Sequence, residues 1–320
     1  MSFPAEPRQR GMTVAELKDE RAFAGVVERH RRELHVHCYR MLGSYEEAED
    51  LTQETFLRAW RKRETYAQRA SLRAWLYRIA TNACLDALEK RPKTPSPNGE
   101  ITWLQPYPDT AAPADEDVFA RETIELAFMV AIQHLPPQSR AVLILRDVLG
   151  WRARDVAELL ETTEAAVNSA LQRARAVLKE HLPKERGEWA AAGSAQEREL
   201  LERYMALTES GDARGLKALM REDVRFSMPP EDEVLVGREV VVEGWISGGF
   251  GSPELGAFKC ALGRANQQPG VVNYLRKPGM DTYELTSIDV LRIEDGLVAE
   301  IVTFYGPALK PFELPRTLPG

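Results

Sequence analysis

The chain has 320 residues, enough for two or three domains, and its 44% hydrophobic and 28% charged residues are typical of a soluble globular protein. No run of about 18 apolar residues predicts a membrane span, no apolar signal-peptide core follows the start, and three widely separated cysteines argue against a disulfide framework or a zinc ribbon. The net charge of −7 is concentrated after residue 190, where 20 Asp and Glu stand against 14 Lys and Arg, so the near-neutral first part argues against tight DNA binding driven by its own counterion release.

Because no targeting or membrane segment is evident, we expect a cytoplasmic protein. Helical patterns dominate residues 19–90, with Gly43 marking a break before a capping box formed by Ser44 and Glu47. The helix that follows has an apolar stripe and runs from acidic to basic, as the helix dipole favours. The next helix interleaves Trp75 and apolar residues with arginines. This pattern suits an unstacked nucleic-acid strand, although it is also typical of a helix packed in a core.

Residues 91–121 are rich in proline and carry a run of acidic residues, which predicts a linker. Two large aromatic residues nevertheless stand in its middle, in the segment Trp103, Leu104, Gln105, Pro106, Tyr107 and Pro108. A passive spacer has no use for such side chains, so we expect this segment to dock on its own chain or on a partner. A loop packed on a neighbouring core is the alternative.

Helical patterns return over residues 122–145, restart at Pro136 and Pro137, and end at Gly150. Residues 151–182 then predict two short helices joined by a tight turn, which is a helix-turn-helix. The second helix has one apolar face that repeats at three- and four-residue spacing, through Val167, Ala170, Leu171, Ala174, Val177 and Leu178. We expect that face to be buried.

The opposite face of that second helix is polar, and Thr162 or Thr163 is placed to cap its start. This face carries Ala165, Asn168, Ser169, Gln172, Arg173, Arg175 and Lys179. Amides and arginines pair with base edges and flanking cations hold phosphates, so the face is suited to the major groove of DNA. An ordinary helical hairpin with a solvated polar face has the same pattern and is the alternative.

The last third of the sequence changes from helical to mixed patterns. Helices are predicted over 196–210, 212–220 and 238–246, and strands over 224–228, 258–265, 271–275, 283–293 and 297–304. Glu294, Asp295 and Gly296 predict a hairpin turn between the last two strands. This order predicts an α+β domain in which a curved sheet wraps over helices.

Three segments carry a family resemblance: AEDLTQETFLRAW, LRAWLYRIATNACLDAL, and LPPQSRAVLILRDVLGW with the helix-turn-helix after it. In this order they closely resemble an extracytoplasmic-function (ECF) sigma factor, the bacterial subunit that directs RNA polymerase to promoters. The resemblance covers nearly all of residues 19–183. It implies two all-α domains, sigma region 2 over 19–91 and sigma region 4 over 122–184, in a bacterial cytoplasm. It also implies that polymerase supplies much of the DNA affinity that the near-neutral charge lacks.

The α+β part, residues 196–306, resembles a SnoaL-like domain, the cone-shaped fold of polyketide cyclases and nuclear-transport-factor relatives that is fused to some ECF sigma factors. Residues 103–108 are similar to the linker signature of those fused forms. The expected order of parts is a flexible N-terminus (1–18), region 2, a linker (92–121), region 4, a second linker (185–195), the SnoaL-like domain and a tail (307–320). Aromatic residues in the tail favour docking between domains over a disordered end.

The resemblance implies roles for individual residues. Polymerase binding is implied for an acidic, partly apolar helix surface that a basic coiled coil could meet, at Asp50, Leu51, Gln53, Glu54, Phe56 and Trp60. Recognition and melting of the minus-ten element, with an extruded base, is implied for Arg63, Arg73, Trp75, Arg78 and Asn82. Reading of the duplex minus-thirty-five element is implied for Ala165, Asn168, Ser169, Gln172, Arg173 and Arg175. Glu161 stands where many relatives have glycine, which leaves the left-handed conformation of the turn open.

These roles predict a sigma factor that binds core RNA polymerase and promoter DNA, without a cofactor and without membrane contact. Its C-terminal domain would contact the sigma domains and regulate them in cis, with a small-molecule ligand as a further partner. The linker residues implied in this regulation are Trp103, Leu104, Pro106, Tyr107 and Pro108. One alternative is a ligand-sensing helix-turn-helix regulator without sigma activity. Another is a sigma factor whose C-terminal domain keeps enzymatic activity.

Two groups of reactive residue types lead to further site hypotheses. The first is a set of metal-ligand types close in sequence: His30, His35, His37 and Cys38. On a helix these side chains diverge, so we expect no metal site. The second is a set of carboxylates for acid and base chemistry in the C-terminal domain, Asp223, Asp281, Glu284 or Asp289 with Tyr283 or Tyr305. No histidine follows His181, and we expect a domain that is not an enzyme.

Overall fold

The computed structural model describes residues 17–66, 71–97, 99–111, 124–182 and 195–320. The described residues form two compact units. The first contains the described residues up to Lys93 together with Leu135–Ala176, and the second contains the described residues of 94–134 and those from Val177 onward. Within these ranges, no helix is long and apolar enough to cross a membrane.

The first part of the first unit is built from three helices, α1 (Glu20–Leu42), α2 (Tyr45–Lys62) and α3 (Leu72–Lys90). Asp19, Ser44 and Ser71 cap their N-termini, because each side chain accepts a hydrogen bond from the backbone N–H three residues later. Gly43 has a left-handed φ of 71° and turns the chain from α1 into α2. The three helices pack on one another in pairs. The stripe of α2 that is buried consists of Ala48, Thr52, Thr55, Phe56 and Ala59.

Region 4 contributes to both units. Helix α4 (Leu126–Gln133) belongs to the second unit, whereas α5 (Pro137–Leu143), α6 (Ala153–Leu159) and most of α7 (Glu164–His181) belong to the first. The side chain of Arg140 on α5 is buried, and it donates hydrogen bonds to the carbonyl oxygens of Met41 and Leu135. Met41 lies in the last turn of α1, where the helix dipole favours a cation. Arg140 therefore fastens α5 to the end of α1.

The second unit is dominated by a seven-stranded sheet. Its strands are β1 (Met220–Ser227), β2 (Val234–Val236), β3 (Ala257–Ala265), β4 (Gln268–Arg276), β5 (Thr282–Glu294), β6 (Leu297–Tyr305) and β7 (Thr317–Pro319). They lie in the order β2-β1-β6-β5-β4-β3, and β7 pairs with β5 beyond that path. β1 is parallel to β6, and the other pairs are antiparallel. Asp295 and Gly296 turn between β5 and β6 with φ of 51° and 75°, which confirms the predicted hairpin.

Three helices pack on this sheet: α8 (Ala195–Glu209), α9 (Ala213–Ala218) and α10 (Arg238–Ser247). They share one hydrophobic core with the strands, formed in part by Leu200, Leu201, Tyr204, Leu216, Val241, Val271, Leu291 and Ile301. Burial of these apolar surfaces is the main driving force that closes the domain. The order of helices and strands confirms the α+β architecture expected of a SnoaL-like domain.

Two strands escaped the sequence analysis. Both β2 and β7 have three residues, too few for an alternating pattern to be recognised. β7 lies in the tail, which also forms a 3-10 helix over Gly306–Phe312. The tail was expected to dock between domains. The structure instead adds it to the sheet, since Tyr283 of β5 pairs with Leu318.

Candidate nucleic-acid and polymerase interfaces

Helix α7 presents the polar face that the sequence predicts for DNA reading. Its N-terminus is capped by Thr163, whose hydroxyl accepts from the backbone N–H of Ala166 at 3.1 Å. Val167, Leu171 and Ala174 are buried on its inner side. All six residues assigned to the minus-thirty-five element are exposed on the outer side: Ala165, Asn168, Ser169, Gln172, Arg173 and Arg175. The other residues of the predicted buried face are half-buried, namely Ala170, Val177 and Leu178. Periodicity alone therefore separated the inner side from the exposed side, although half of the inner residues are not fully buried.

The turn before α7 takes the left-handed conformation despite its residue. Glu161 has a φ of 53°, and the backbone N–H of Thr162 donates to the carbonyl of Ala157 at 2.9 Å. Residues other than glycine, asparagine and aspartate rarely adopt such a φ, because it costs them about 1–2 kcal/mol. Packing of the two helices thus imposes the geometry that glycine would supply more easily.

The two arginines assigned to the minus-thirty-five element differ in their surroundings. Arg175 donates two hydrogen bonds to the carboxylate of Asp147, at 2.7 and 2.8 Å, and this pairing raises the pKa of Arg175. Arg173 points outward from the same helix and is exposed. Arg175 therefore ties α7 to the π-helical segment Ile144–Val148 that follows α5, and Arg173 is the better placed of the two to reach a base.

Arg73, which is assigned to the minus-ten element, is held inside region 2. Its guanidinium donates to Glu33 at 2.7 Å, and the hydroxyl of Tyr77 donates to the same oxygen at 3.2 Å. Burial acts to raise the pKa of Glu33, but hydrogen bonds from His30 and Arg73 outweigh it and leave that pKa lowered. An ionised Glu33 is thus a fixed partner for Arg73, which the sequence analysis did not identify.

Three of the other four residues predicted for the minus-ten element also contact groups of the protein. Arg78 on α3 donates to the carbonyl oxygen of Glu158 at the end of α6, at 2.6 Å. Arg63 lies over the ring of Trp60, 4.1 Å from its centroid, and Trp75 packs at 5.3 Å against Tyr66. Asn82 is exposed. Within this unit, α3 therefore contacts the end of α6 through Arg78, one of the residues predicted for the minus-ten element.

The helix assigned to polymerase binding, α2, is only partly available as a surface. Asp50 and Gln53 are exposed, while Leu51, Glu54 and Trp60 are half-buried. Phe56 is 7% exposed and packs in the core of region 2, so little of its ring reaches the surface where the prediction placed it. Leu57, which the sequence analysis did not select, is 52% exposed. A groove of about 250 Å³ runs beside α2, lined by Leu42, Glu47, Asp50, Leu51, Arg58 and Asp86 among others.

The linker contacts the C-terminal domain of the same chain, which fits both the expected docking on its own chain and the alternative of a loop packed on a neighbouring core. Tyr107 is fully buried, and its backbone exchanges two hydrogen bonds with Asn266, each 2.8 Å long. Asp109 accepts from the backbone N–H of Gln267 at 2.7 Å and from Arg264 at 3.1 Å. We call these contacts the linker clasp. The rest of residues 103–108 also packs closely: Leu104, Pro106 and Pro108 are buried, and Trp103 is half-buried.

The histidines near the start of the chain are packing residues. His37 is buried, lies 2.9 Å from the hydroxyl of Thr81, and has its pKa lowered by burial to about 3. His35 is also buried, with a pKa lowered by burial to about 4. In the part of the chain that the structure describes, no His, Cys, Asp and Glu side chains group closely enough to hold a metal ion.

Of the four carboxylates considered for chemistry in the C-terminal domain, Asp289 is the buried one. It accepts hydrogen bonds from Thr303 at 2.7 Å, Asn273 at 2.9 Å and Tyr204 at 3.2 Å. Burial raises its pKa, although these donors favour the ionised form. Neither expected tyrosine is its partner: Tyr305 donates to Glu231, and Tyr283 lies beside Lys259 and Arg276. Asp223 is paired with Arg221, and Asp223, Asp281 and Glu284 are all exposed, so they do not share the buried surroundings of Asp289.

Comparison of the chain with known proteins identifies its family. The family model described as sigma-70 region 2 matches residues 26–94, and the one described as sigma-70 region 4 matches residues 125–178. Over 325 aligned residues, the chain is 40% identical to the ECF RNA polymerase sigma factor SigG of Mycobacterium tuberculosis, with 95% of this chain and 87% of the relative covered. The chain belongs to the ECF RNA polymerase sigma factors.

Further relatives of this sigma factor agree. SigJ of Mycobacterium tuberculosis is 29% identical over 288 residues, covering 84% of this chain and 87% of SigJ. The crystal structure of SigJ from that organism matches the fold with a TM-score of 0.63 and 25% identity, covering 91% of this chain and all of the other. SigW of Bacillus subtilis is 30% identical over 173 residues, covering 51% of this chain and 90% of SigW. As a sigma factor, the protein binds core RNA polymerase and directs promoter-specific initiation of transcription.

Proposed function

We propose that the C-terminal domain of this sigma factor regulates initiation in cis by holding the linker between regions 2 and 4. The linker clasp is the observation that carries the proposal. A linker that joins two DNA-reading regions limits how they can be spaced on a promoter. Binding it to a folded domain replaces a flexible connection by a defined one, and this saves conformational entropy when both elements are read.

The residue roles follow the surfaces described above. We assign polymerase binding to the exposed side of α2, with Asp50, Leu51 and Gln53 at its centre and Glu54 and Trp60 at its edges. The exposed face of α7 reads the minus-thirty-five element, with Arg173 as its main cation. The segment from Arg63 to Asn82 recognises and opens the minus-ten element. Support for these assignments is the combination of exposure, chemistry and position within the matched regions.

The clasp offers a direct test in the full-length chain. Asp109→Asn removes the negative charge that faces Arg264, and it keeps an oxygen for the backbone N–H of Gln267. A hydrogen bond to a charged group contributes about 1.5–3 kcal/mol in a buried setting, and partial solvent exposure of the Arg264 side chain, which is 36% exposed, reduces this to about 1 kcal/mol. We expect run-off transcription with core polymerase to fall roughly five-fold, while binding to core polymerase stays unchanged.

The matched control is Asp232→Asn, an exposed acid of the same domain on the loop between β1 and β2, which lies outside the clasp. Transcription by Asp109→Asn at the level of the unmodified protein would contradict regulation through the linker. Reduced core binding would instead place Asp109 in the polymerase interface, which also contradicts the proposal. If the unmodified protein bound duplex promoter DNA unaided but never supported initiation, the helix-turn-helix regulator would be the correct alternative.

A further inference from the structure

Helix α4, the first helix of region 4, begins without a cap of its own. Its sequence is LAFMVAIQ, with no acidic residue in the first turn, and the side chain of its N-cap residue Glu125 makes no capping hydrogen bond. The first backbone N–H groups of any helix have no partner within the helix. A helix of eight residues is also too short to be stable alone, so α4 depends on its surroundings.

The missing partner is supplied by the turn between β3 and β4 of the C-terminal domain. The side-chain oxygen of Gln268 accepts from the backbone N–H of Leu126, the first residue of α4, at 2.8 Å. The side-chain amide of Asn266 donates to the carbonyl oxygen of Ile124 at 2.5 Å. All four residues are buried. The two contacts span 142 residues of sequence, and they hold the chain where it enters region 4.

The turn that carries these side chains is held in a strained conformation. Asn266 and Gln267 have φ of 55° and 60°, the geometry of a two-residue hairpin turn in which glycine usually takes the second place. The backbone of Gln267 is fixed from both sides, since its N–H donates to Asp109 and its carbonyl accepts from Arg264. Strained backbone conformations are often found at functional positions. Here the turn directs the side chains of Asn266 and Gln268 toward the start of α4.

The other end of α4 meets the recognition helix. His134, the C-cap residue of α4, stacks on His181, the last residue of α7, with ring centroids 3.8 Å apart and planes 3° from parallel. Six of the eight residues of α4 are buried, namely Leu126, Phe128, Met129, Ala131, Ile132 and Gln133. A helix of this length spans about 12 Å. Helix α4 therefore contacts the β3–β4 turn at its N-terminus and the end of α7 at its C-terminus.

We propose that Gln268 and Asn266 are positioning residues for minus-thirty-five recognition: the C-terminal domain supplies the N-terminal cap of α4 and so completes region 4. This deepens the proposed regulation in cis, on which it rests, and it gives that regulation a direction. The C-terminal domain supports promoter reading. When the β3–β4 turn is altered, α4 loses its N-terminal cap, and the end of α7 loses the support of the contact between His134 and His181. The effect acts on the upstream element and leaves the polymerase surface of α2 untouched.

The test uses full-length holoenzyme and two variants that differ in one property. Gln268→Met keeps the length of the side chain and removes the oxygen that accepts from Leu126. Gln268→Glu keeps that oxygen and adds a negative charge, which a helix N-terminus tolerates well. Run-off transcription is measured on one promoter with both elements intact and on the same promoter with its minus-thirty-five element scrambled.

We expect Gln268→Met to lower transcription from the intact promoter about five-fold, with no change on the scrambled promoter or in core binding. Gln268→Glu should stay within about two-fold of the unmodified protein. Equal loss on both promoters, equal loss in both variants, or no loss in Gln268→Met would each overturn the proposal. The clasp variant Asp109→Asn separates the two ideas: if it lowers transcription while Gln268→Met does not, regulation through the linker stands and the cap is wrong.

Discussion

The two segments proposed to read DNA present their cations in opposite ways. On α7, Arg173 and its polar neighbours face outward along one exposed side of a capped helix. In the minus-ten segment, Arg73 is held by Glu33 and Arg78 by the backbone of Glu158 in region 4. Under the proposed assignments, the upstream cation Arg173 is open to DNA, whereas Arg73 and Arg78 would have to exchange protein partners for DNA.

This difference matches the two tasks. Reading a duplex needs a rigid surface, since each base contact depends on the position of a side chain. Opening a duplex costs unstacking energy, which contacts formed only with the open strand repay. Arginines that are already paired with protein groups gain less from an intact duplex, which is consistent with the task proposed for the minus-ten segment.

The largest effect is expected at the open surface. Arg173→Ala should weaken minus-thirty-five recognition by roughly 1–3 kcal/mol, because a bidentate arginine contact to a base is lost. Run-off transcription from promoters with intact and mutated upstream elements measures this as a reduced ratio between the two. Arg175→Ala is the comparison, and it should leave the ratio nearly unchanged because Arg175 is bound to Asp147. An unchanged ratio in Arg173→Ala would show that another residue reads the element.

A smaller effect is expected on the stability of α3 when the pH is lowered. His37 contacts Thr81 and Tyr77 of α3, and its pKa is lowered to about 3 by burial. Between pH 6.5 and 3 the unfolded chain binds a proton that the folded chain does not, so stability is lost as pH falls below 6.5. At pH 5 the loss is about 2 kcal/mol for this group.

Gln replaces the ring nitrogen that faces Thr81 without titrating. His37→Gln should therefore remove about half of the acid-induced loss of protection of α3 amides, leaving the part due to His35. Hydrogen exchange in the full-length chain, corrected for intrinsic rates at each pH, measures it. Amides of α7 serve as the internal control, and equal acid sensitivity of α3 in both proteins would refute the role of His37.

The smallest effect is expected when the minus-ten cation is released. Glu33→Gln keeps an oxygen for Tyr77 and removes the charge that pairs with Arg73. An ion pair at this level of exposure contributes about 0.5–1 kcal/mol, so promoter opening should rise roughly two- to five-fold. Permanganate reactivity of minus-ten thymines reports opening. Arg73→Ala should lower it, and a fall in both variants would mean that the pair supports the fold instead.

Much of the candidate site was predictable from local pattern. The spacing of Val167, Leu171 and Ala174 separated the buried face of α7 from the exposed one, and Ser44 marked the start of α2. Phe56 shows the limit of such reasoning: a motif residue on the polymerase helix proved to be core, because its angular position on α2 depends on where α1 and α3 pack. Glu33, Arg140 and Gln268 gave no local signal, since each is defined by a partner at least 40 residues away.

By itself, the sequence determined the helices of regions 2 and 4, the polar face of α7, the hairpin before β6 and the α+β order of the last third. These features rest on periodicity, caps and turn residues, which act between neighbours along the chain. Only the tertiary structure decided that the linker and α4 are held by the C-terminal domain, and that Arg73 and Arg78 are already paired. Such contacts arise from packing of distant segments, where a buried donor or acceptor must find a partner wherever the fold offers one.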